Sequence, residues 1–529
     1  MNNLILAIVL LLISSNVVAK GIQVVDKDGR QSGRFEDGPF LLEQLDIAER
    51  RYSDGQIQRL PTSDSEFVTL AREHILNQKA PLTVIQLKDI ERKLTAYLRS
   101  RVDSEFTGAW IRVTKDGVAF VDIAGGKLLA EQGDAVAQNN MGNVYLDGDT
   151  VAKNLTEAIK WYRLAAEQGH APALQNMGAA YALGQGVEVN YKEAARWYGL
   201  AVEQGFAFSQ NGLGDLHQYG HGVPQDYPEA LRLYHLAADQ GNNDAQTNLG
   251  AMSYHGRGTP QDFETAMKWF RLAADKGQKE AQYNLGVMYQ RGHGTTKDLT
   301  EAIRWFRLSA EDDHVLAQIM LGLAYANGQG VPGDDKEAFK WFQLAAEQGN
   351  PWAQNQLGIF YRNGQSVSQD YGLAMKWFRL AANQRHRDGQ NSLGVMYHNG
   401  EGVSKDYEEA MKWYRLAAEQ GAAVAQNNMG VMYRDKQGVS RDYKEAIRWF
   451  RLAADQGNAL AQNNLGMMYR NGRGVKKDFG KAYMWLNLAI SQGNLDAFKN
   501  EAKVTKNMSS DDILAARELI RQWLAEHSK

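Results

Sequence analysis

Apolar positions return at a fixed interval along most of the chain. Tryptophan recurs every 36 residues, and Leu233 is the single interruption of that series. Glycine keeps the same step without a gap from Gly142 to Gly466. A period of this length is typical of helical repeat proteins. Ten repeats of 36 residues therefore fill residues 134–493.

Each repeat is predicted to hold two helices. The first carries a motif such as "AQNNMGNVY" and the second one such as "EAIRWFRLAADQG". In the second helix, Ala158, Trp161, Tyr162 and Ala165 recur at helical spacing, which predicts one apolar face. We expect the two alanines to face Gly142 and to let the helix backbones approach, while the aromatic pair fills the gap towards the next repeat.

The ends of the second helix are marked by residue type. The position before it is Asn or Asp in every repeat, as expected of an N-cap: Asn154, Asn190, Asp226, Asp262, Asp298, Asp334, Asp370, Asp406, Asp442 and Asp478. Glutamate follows three residues later in seven of the repeats, as in Glu445, which predicts a reciprocal capping box. Gly457 and its equivalents are expected to end the helix.

This pattern resembles the Sel1-like repeat family, a branch of the tetratricopeptide-type helical solenoids. The resemblance covers residues 134–493. It implies an all-α fold, a right-handed α/α superhelical solenoid of ten helix-turn-helix repeats. It also implies a scaffold or adaptor that binds other proteins.

Both ends of the array carry partial repeats. Residues 119–133 keep only the closing half of the motif and are interpreted as a degenerate capping half-repeat. Residues 494–529 are expected to form capping helices, since a solenoid must cover its last apolar face. One helical face of the terminal helix is predicted to hold Ile513, Ala516, Ile520 and Trp523.

The first 19 residues read as a signal peptide. An apolar run from Leu4 to Ile13 is too short to span a bilayer, and Val17 and Ala19 fit the small-residue cleavage rule. We therefore expect export, to the periplasm or medium of a bacterium, or to the endoplasmic-reticulum lumen or exterior of a eukaryotic cell. An uncleaved anchor is the alternative, and no other long apolar segment predicts an integral membrane span.

Residues 20–118 do not follow the repeat. Asp-Gly pairs at residues 28–29 and 116–117 lie beside apolar segments and predict short hairpins. Helical spacing predicts helices over 64–78 and 82–101. The segment is expected to be a small region of mixed α and β structure.

Composition narrows the choice of function. The 59 Lys and Arg against 62 Asp and Glu give a net charge of −3, which does not favour a nucleic-acid partner. The sequence contains no cysteine, so disulfides and thiolate metal sites are excluded. No catalytic motif stands out, and we expect neither an enzyme nor a cofactor. His217, His221, His235 and His255 form a weak candidate metal site, but we prefer the interpretation that His217 fills the usual tyrosine position and the others lie on loops or exposed faces.

The outer side of the second helix carries a basic row that starts with Lys160 and Arg196, with glutamates three residues earlier. We interpret it as a solvated face with local ion pairs.

Binding is predicted on the first helix instead. Counting from each fixed glycine of the last four repeats gives a row of amides and cations: Asn355, Arg362, Asn391, His398, Asn427, Arg434, Asn463 and Arg470. Amides pair with a peptide backbone and arginine grips carboxylates, so a protein or extended peptide is the expected ligand of a concave groove. In one alternative, these side chains only solvate the face. In another, residues 20–118 are the functional module, binding envelope glycan or acting catalytically, and the solenoid is an arm.

Overall fold

The protein is described here by a computed structural model. It describes residues 22–25, 31–35, 109–114, 117–148 and 151–527. The expected signal peptide and the helices expected over 64–78 and 82–101 lie outside the described residues.

Two antiparallel hairpins precede the helices. Strand β1 (Ile22–Val25) pairs with β2 (Gln31–Phe35), and β3 (Ala109–Thr114) pairs with β4 (Gly117–Asp122). These are the two hairpins that the Asp-Gly pairs predicted. Helix α1 (Ile123–Glu131) follows β4 directly, so the segment interpreted as a half-repeat is helical only from its fifth residue.

The rest of the described chain is a series of helix pairs. We call the first helix of each repeat helix A and the second helix B. The helices A are α2 (Ala135–Asp147), α4 (Ala171–Leu183), α6 (Ala207–Tyr219), α8 (Asn243–His255), α10 (Lys279–Arg291), α12 (Val315–Asn327), α14 (Pro351–Asn363), α16 (Arg387–Asn399), α18 (Ala423–Asp435) and α20 (Ala459–Asn471). The helices B are α3 (Leu155–Glu167), α5 (Tyr191–Glu203), α7 (Tyr227–Asp239), α9 (Phe263–Ala274), α11 (Leu299–Glu311), α13 (Asp335–Glu347), α15 (Tyr371–Asn383), α17 (Tyr407–Glu419), α19 (Tyr443–Asp455) and α21 (Phe479–Ser491). The ten predicted repeats are therefore confirmed as all-helical units.

The chain divides into two compact units, Met1–Asn242 and Asn243–Lys529. The first three repeats belong to the first unit and the other seven to the second. Within each unit, every helix of the repeats packs on its neighbours along the chain. At the end of the second unit, α22 (Leu495–Thr505) and α23 (Ser510–His527) cover the last repeat. Ala516 is buried there, and the other three apolar residues predicted for its face pack on the same cluster.

An aromatic ring lies over the fixed glycine in nine of the ten repeats, and Leu486 takes its place over Gly466 in the last one. A Cβ atom built on Gly430 would lie 2.5 Å from Cδ1 of Phe450, on helix B of the same repeat. Tyr162 lies in the same way over Gly142, so the ring makes the nearest side-chain contact with this glycine, where we expected the alanines. The glycine is required because a ring, which is larger than a methyl group, occupies the space above it.

The alanines of helix B make a different contact. A Cβ built on Gly389, at the start of α16, would lie 2.7 Å from the Cβ of Ala381. Other repeats carry alanine in the place of Gly389, for example Ala425, which is fully buried. The small residues of helix B therefore admit the first turn of the next repeat.

The predicted N-caps are confirmed, but the capping box is not. Asp442 Oδ1 accepts a hydrogen bond from the backbone N–H of Glu445 at 3.0 Å. The N–H of Asp442 itself donates to the carbonyl of Tyr433. Because this donor is already satisfied, Glu445 pairs with Arg448 instead, at 2.9 Å.

Seven repeats show this ion pair, as the interpretation of the basic row predicted: Lys160 with Glu157, Arg196 with Glu193, Arg232 with Glu229, Arg304 with Glu301, Lys340 with Glu337, Lys412 with Glu409, and Arg448 with Glu445.

The glycine that ends helix B adopts a left-handed conformation, with φ of 83° at Gly457. This confirms the predicted stop. Asp313 and Arg385 stand at the same position of their repeats with φ of 59° and 62°, so these two sites accept a conformation that costs a side-chain-bearing residue energy.

Candidate protein-interaction face

Four helices of the second unit carry the predicted binding residues. We call the set Asn355, Arg362, Asn391, His398, Asn427, Arg434, Asn463 and Arg470 the helix A face. Its members lie on α14, α16, α18 and α20, one amide and one cationic or imidazole side chain on each. Between them, Ile359, Val395, Val431 and Met467 are half-buried.

The asparagines form a ladder between repeats. The amide oxygen of Asn391 accepts a hydrogen bond from Asn428 Nδ2 at 3.0 Å, and that of Asn427 accepts from Asn464 Nδ2 at 2.9 Å. Asn355 accepts from Ser392 Oγ at 3.0 Å. Each bond joins one helix A to the next and fixes the orientation of the amide.

The ladder continues to the end of the array. Asn463 accepts from Asn500 Nδ2, on α22, at 3.0 Å. In each of the four asparagines the oxygen is the paired atom, and the amide nitrogen donates to no residue of the part of the chain that the structure describes. The ladder therefore sets the orientation of four amide groups, of which Asn391 and Asn463 are half-buried, whereas Asn355 and Asn427 are buried at 4% and 5% exposure.

The first cation of the face is neutralised within the protein. Arg362 Nε donates to Glu401 Oε2 at 2.6 Å, and Nη2 donates to Oε1 at 3.1 Å. Glu401 lies on the loop between the helices of the next repeat. This two-point contact holds the pKa of the Glu401 carboxyl below its usual value. Arg362 thus locks one repeat to the following one.

The next two side chains also have internal partners. His398 Nε2 lies 3.0 Å from Gln437 Oε1, again on the following loop. Arg434 donates twice to Asp435, at 2.8 and 2.7 Å, and once to Asn464 Oδ1 at 2.9 Å. Arg470 is different, because its side chain forms no hydrogen bond or ion pair with another described residue. It is the member of the face whose charge is not compensated nearby.

Sequence reasoning missed a second row of amides, buried between repeats. Gln426 of α18 donates to the carbonyl of Ala418, at the end of the preceding helix B, at 3.1 Å. Its amide oxygen accepts from Gln456, at the end of its own helix B, at 2.8 Å. Gln426 is 5% exposed, so it bridges three helices inside the protein.

We call this arrangement a glutamine relay. It recurs in six repeats, with the buried member at Gln138, Gln318, Gln354, Gln390, Gln426 and Gln462. The signal was visible, since "AQ" opens helix A in most repeats and "QG" closes helix B. The relay thus adds a side-chain donor to carbonyls that also accept a backbone N–H, as Ala418 does from Gly421.

Among the described residues, no group of three or more His, Asp or Glu side chains is placed to hold a metal ion. Nor does any described helix combine the length and apolar character needed to cross a bilayer.

The repeat pattern matches a known family model. The Sel1 repeat model matches ten segments: residues 135–170, 171–206, 207–242, 243–278, 279–314, 315–350, 353–386, 387–421, 423–458 and 459–494. This chain belongs to the Sel1 repeat family. Nine of the matched segments start one residue later than the repeats drawn from the tryptophan spacing and one, 353–386, starts three residues later, so the register of the Sel1 repeats agrees closely with the predicted one.

Solved Sel1 repeat structures are similar to this chain. A protective antigen present in uropathogenic Escherichia coli strains, which displays this repeat fold, is 33% identical over 77% of this chain and 95% of its own, with a TM-score of 0.48. A Sel1 repeat protein from Oxalobacter formigenes is 34% identical over 57% of this chain and 88% of its own, with a TM-score of 0.44. No curated protein matches the sequence.

Proposed function

We propose that this Sel1 repeat protein is an exported scaffold that binds a protein or extended peptide along the helix A face. It acts through binding and carries no catalytic centre in its repeats. The observation that supports this most directly is the row of oriented amide nitrogens at Asn355, Asn391, Asn427 and Asn463.

Such donors suit a peptide backbone. An extended peptide presents carbonyl oxygens at regular intervals, and each is a hydrogen-bond acceptor. Donors that the ladder already holds in place lose little side-chain entropy when a ligand binds. The half-buried aliphatic residues between them, such as Val395 and Val431, supply apolar surface for the ligand side chains.

The inter-repeat locks change the role of two predicted residues. Arg362 and Arg434 hold neighbouring groups in place, so their contribution to binding is chiefly to keep the repeats in register. Arg470 remains available to contact a partner directly. The proposed site therefore consists of the asparagine ladder with Arg470 at one end.

Site-specific photo-crosslinking in the native compartment tests the proposal. A benzophenone amino acid placed at Asn399 or Asn471, both exposed at the ends of helices A, should crosslink a partner protein. The same probe at Lys412, on the exposed side of a helix B, is the matched control and should not. Crosslinks from Lys412 but from neither asparagine would contradict the proposal. Crosslinks confined to a probe at Tyr52 would favour the N-terminal module as the binding region.

Export rests on the apolar run of residues 1–19. The crosslinking experiment also tests export, because an exported protein and its crosslinked partner should be recovered together from the exported fraction of the cells.

A further inference from the structure

Positive charge accumulates at one end of the second unit. Residues 434–442 and 470–478 run from the end of helix A through the loop to the N-cap in the last two repeats. They hold seven cations against three carboxylates, whereas the matching segments of the two preceding repeats, 362–370 and 398–406, hold two against three. We call the seven side chains the C-terminal basic cluster: Arg434, Lys436, Arg441, Arg470, Arg473, Lys476 and Lys477.

The carboxylates in these segments are already engaged. Asp442 and Asp478 are N-caps that accept from backbone N–H groups of α19 and α21. Asp435 is held by Arg434. That hydrogen bond, with the charges of Arg434, Arg441 and Arg473, keeps the pKa of Asp435 below its usual value. Three arginines thus act on a single carboxylate at Asp435.

The cluster also breaks the pairing seen in earlier repeats. Glu401 is the loop residue that neutralises Arg362 of the preceding helix A. Arg473 stands at the same position of its repeat, 39 residues after Arg434. A cation thus replaces the acceptor that would compensate the arginine of the preceding helix A. Arg470 lies on the helix A of the last repeat, so no later repeat supplies such an acceptor. Like charges brought together in this way raise the free energy of the empty site.

The guanidinium groups are held in place without being neutralised. The carbon atoms at the centres of the Arg441 and Arg473 guanidiniums each lie 5.8 Å from the centroid of the Tyr443 ring. Both side chains are exposed. Stacking on an aromatic ring orients a guanidinium and leaves its N–H groups free to donate.

From this geometry we infer that the C-terminal basic cluster binds an acidic peptide segment, whose Asp or Glu carboxylates take the place that Glu401 occupies in an earlier repeat. The inference rests on the proposed function and names its ligand class. A peptide is favoured because the cluster continues directly from the helix A face through Arg470 and Asn463. The net charge of −3 for the whole chain opposes a broad attraction to a membrane or to nucleic acid.

Fluorescence anisotropy with the full-length protein tests the inference. The probe is a labelled peptide of alternating Glu and Ser, and its Gln and Ser counterpart is the ligand control. We expect the Glu peptide to bind and the Gln peptide to bind at least about tenfold more weakly. The affinity for the Glu peptide should fall as salt is added, because exposed charges are screened.

The decisive variant is R441Q/R470Q/R473Q, which removes charge and keeps side-chain length. It should weaken binding of the Glu peptide by at least about tenfold. The matched control R257Q/K405Q changes the same loop positions in two other repeats and should bind as the unchanged protein does. Circular dichroism checks that both variants stay folded.

Three results would overturn the inference. These are equal affinity for the Glu and Gln peptides, unchanged binding by the triple variant, and tighter binding of phosphatidylserine vesicles or duplex DNA than of the Glu peptide at the same salt. Photo-crosslinking from Asn399 would still report on the proposed function. Loss of the preference for the Glu peptide alone would therefore overturn this inference and not the proposed function. Loss of the crosslinks would overturn both.

Discussion

Within a repeat, the helices meet through an apolar contact, whereas the contact between successive repeats also includes buried amides. Phe450 is fully buried over Gly430 of its own repeat. Gln426, also buried, reaches the preceding repeat through hydrogen bonds. The apolar contact supplies most of the stabilisation of the repeat, since burial of apolar area is the dominant favourable contribution to folding. The amides set the register, because a displaced repeat would leave buried polar groups unpaired.

The two kinds of contact predict different responses to substitution. A long repeat array does not have to unfold as one unit, so each effect below is measured as the local free energy of opening. Hydrogen exchange of the amides in the helices concerned reports that quantity.

The largest effect is expected at the ring over the glycine. Phe450→Ala should lower the opening free energy of α18 and α19 by about 3–5 kcal/mol, because it leaves a cavity. Gly430→Ala should cost about 1–3 kcal/mol alone, because its new methyl group overlaps the ring. In the Phe450→Ala background the same Gly430→Ala change should be neutral or stabilising by up to about 1 kcal/mol, since alanine favours the helix. Additive effects of the two substitutions would show that the ring is not what requires this glycine.

An intermediate effect is expected at the glutamine relay. Gln426→Leu keeps similar volume but removes two buried hydrogen bonds, one to the carbonyl of Ala418 and one from the amide of Gln456, which should cost about 1–3 kcal/mol. The opening should appear in both α17 and α19, because the relay joins two repeats. Gln522→Leu, at an exposed position of α23, is the matched control and should stay within about 0.5 kcal/mol. If both variants behave alike, the relay contributes nothing to coupling between repeats.

The smallest effect is expected in a loop, at a residue that adopts a left-handed conformation although it carries a side chain. Ser366 has φ of 60°, at a loop position that is glycine in the next repeat. A Cβ on that glycine, Gly402, would lie 2.8 Å from the Cβ of Tyr371 in the preceding repeat. Ser366→Gly should therefore stabilise the loop by about 0.5–1 kcal/mol, as relief of left-handed strain outweighs the added chain entropy.

The control for this change is Ser368→Gly, two residues further along the same loop. Its position is outside the set of positive-φ residues, so glycine there should be neutral or destabilising by up to about 1 kcal/mol. Thermal unfolding of the two variants in parallel gives the comparison. A lower midpoint for Ser366→Gly than for Ser368→Gly would mean that this loop position carries no strain.

Local features of the sequence predicted local features of the structure well. Asp442 before a helix and Gly457 after it act through atoms a few residues away, and the structure confirms both roles. The exception is the predicted capping box, and its failure has a tertiary cause. The N–H that Glu445 was expected to reach is bound by the carbonyl of Tyr433, on the preceding helix.

The candidate site was predicted only in part. Counting from the fixed glycine placed Asn391 and Asn427 on corresponding positions of successive helices A, and the ladder joins residues at those positions. The same count did not show that Arg362 is neutralised by Glu401. That pair is separated by 39 residues, and only the packing of one repeat on the next brings it together.

The sequence by itself determined the period, the two helices of each repeat, their caps and the Sel1 repeat membership, because these follow from residue types at short and regular spacing. Only the tertiary structure decided which side chain covers the glycine, which amides bridge repeats and which cations lack a partner. Each of those outcomes depends on groups that are distant along the chain and adjacent in space. A periodic sequence states which residues are equivalent, but their contacts depend on how one repeat packs against the next.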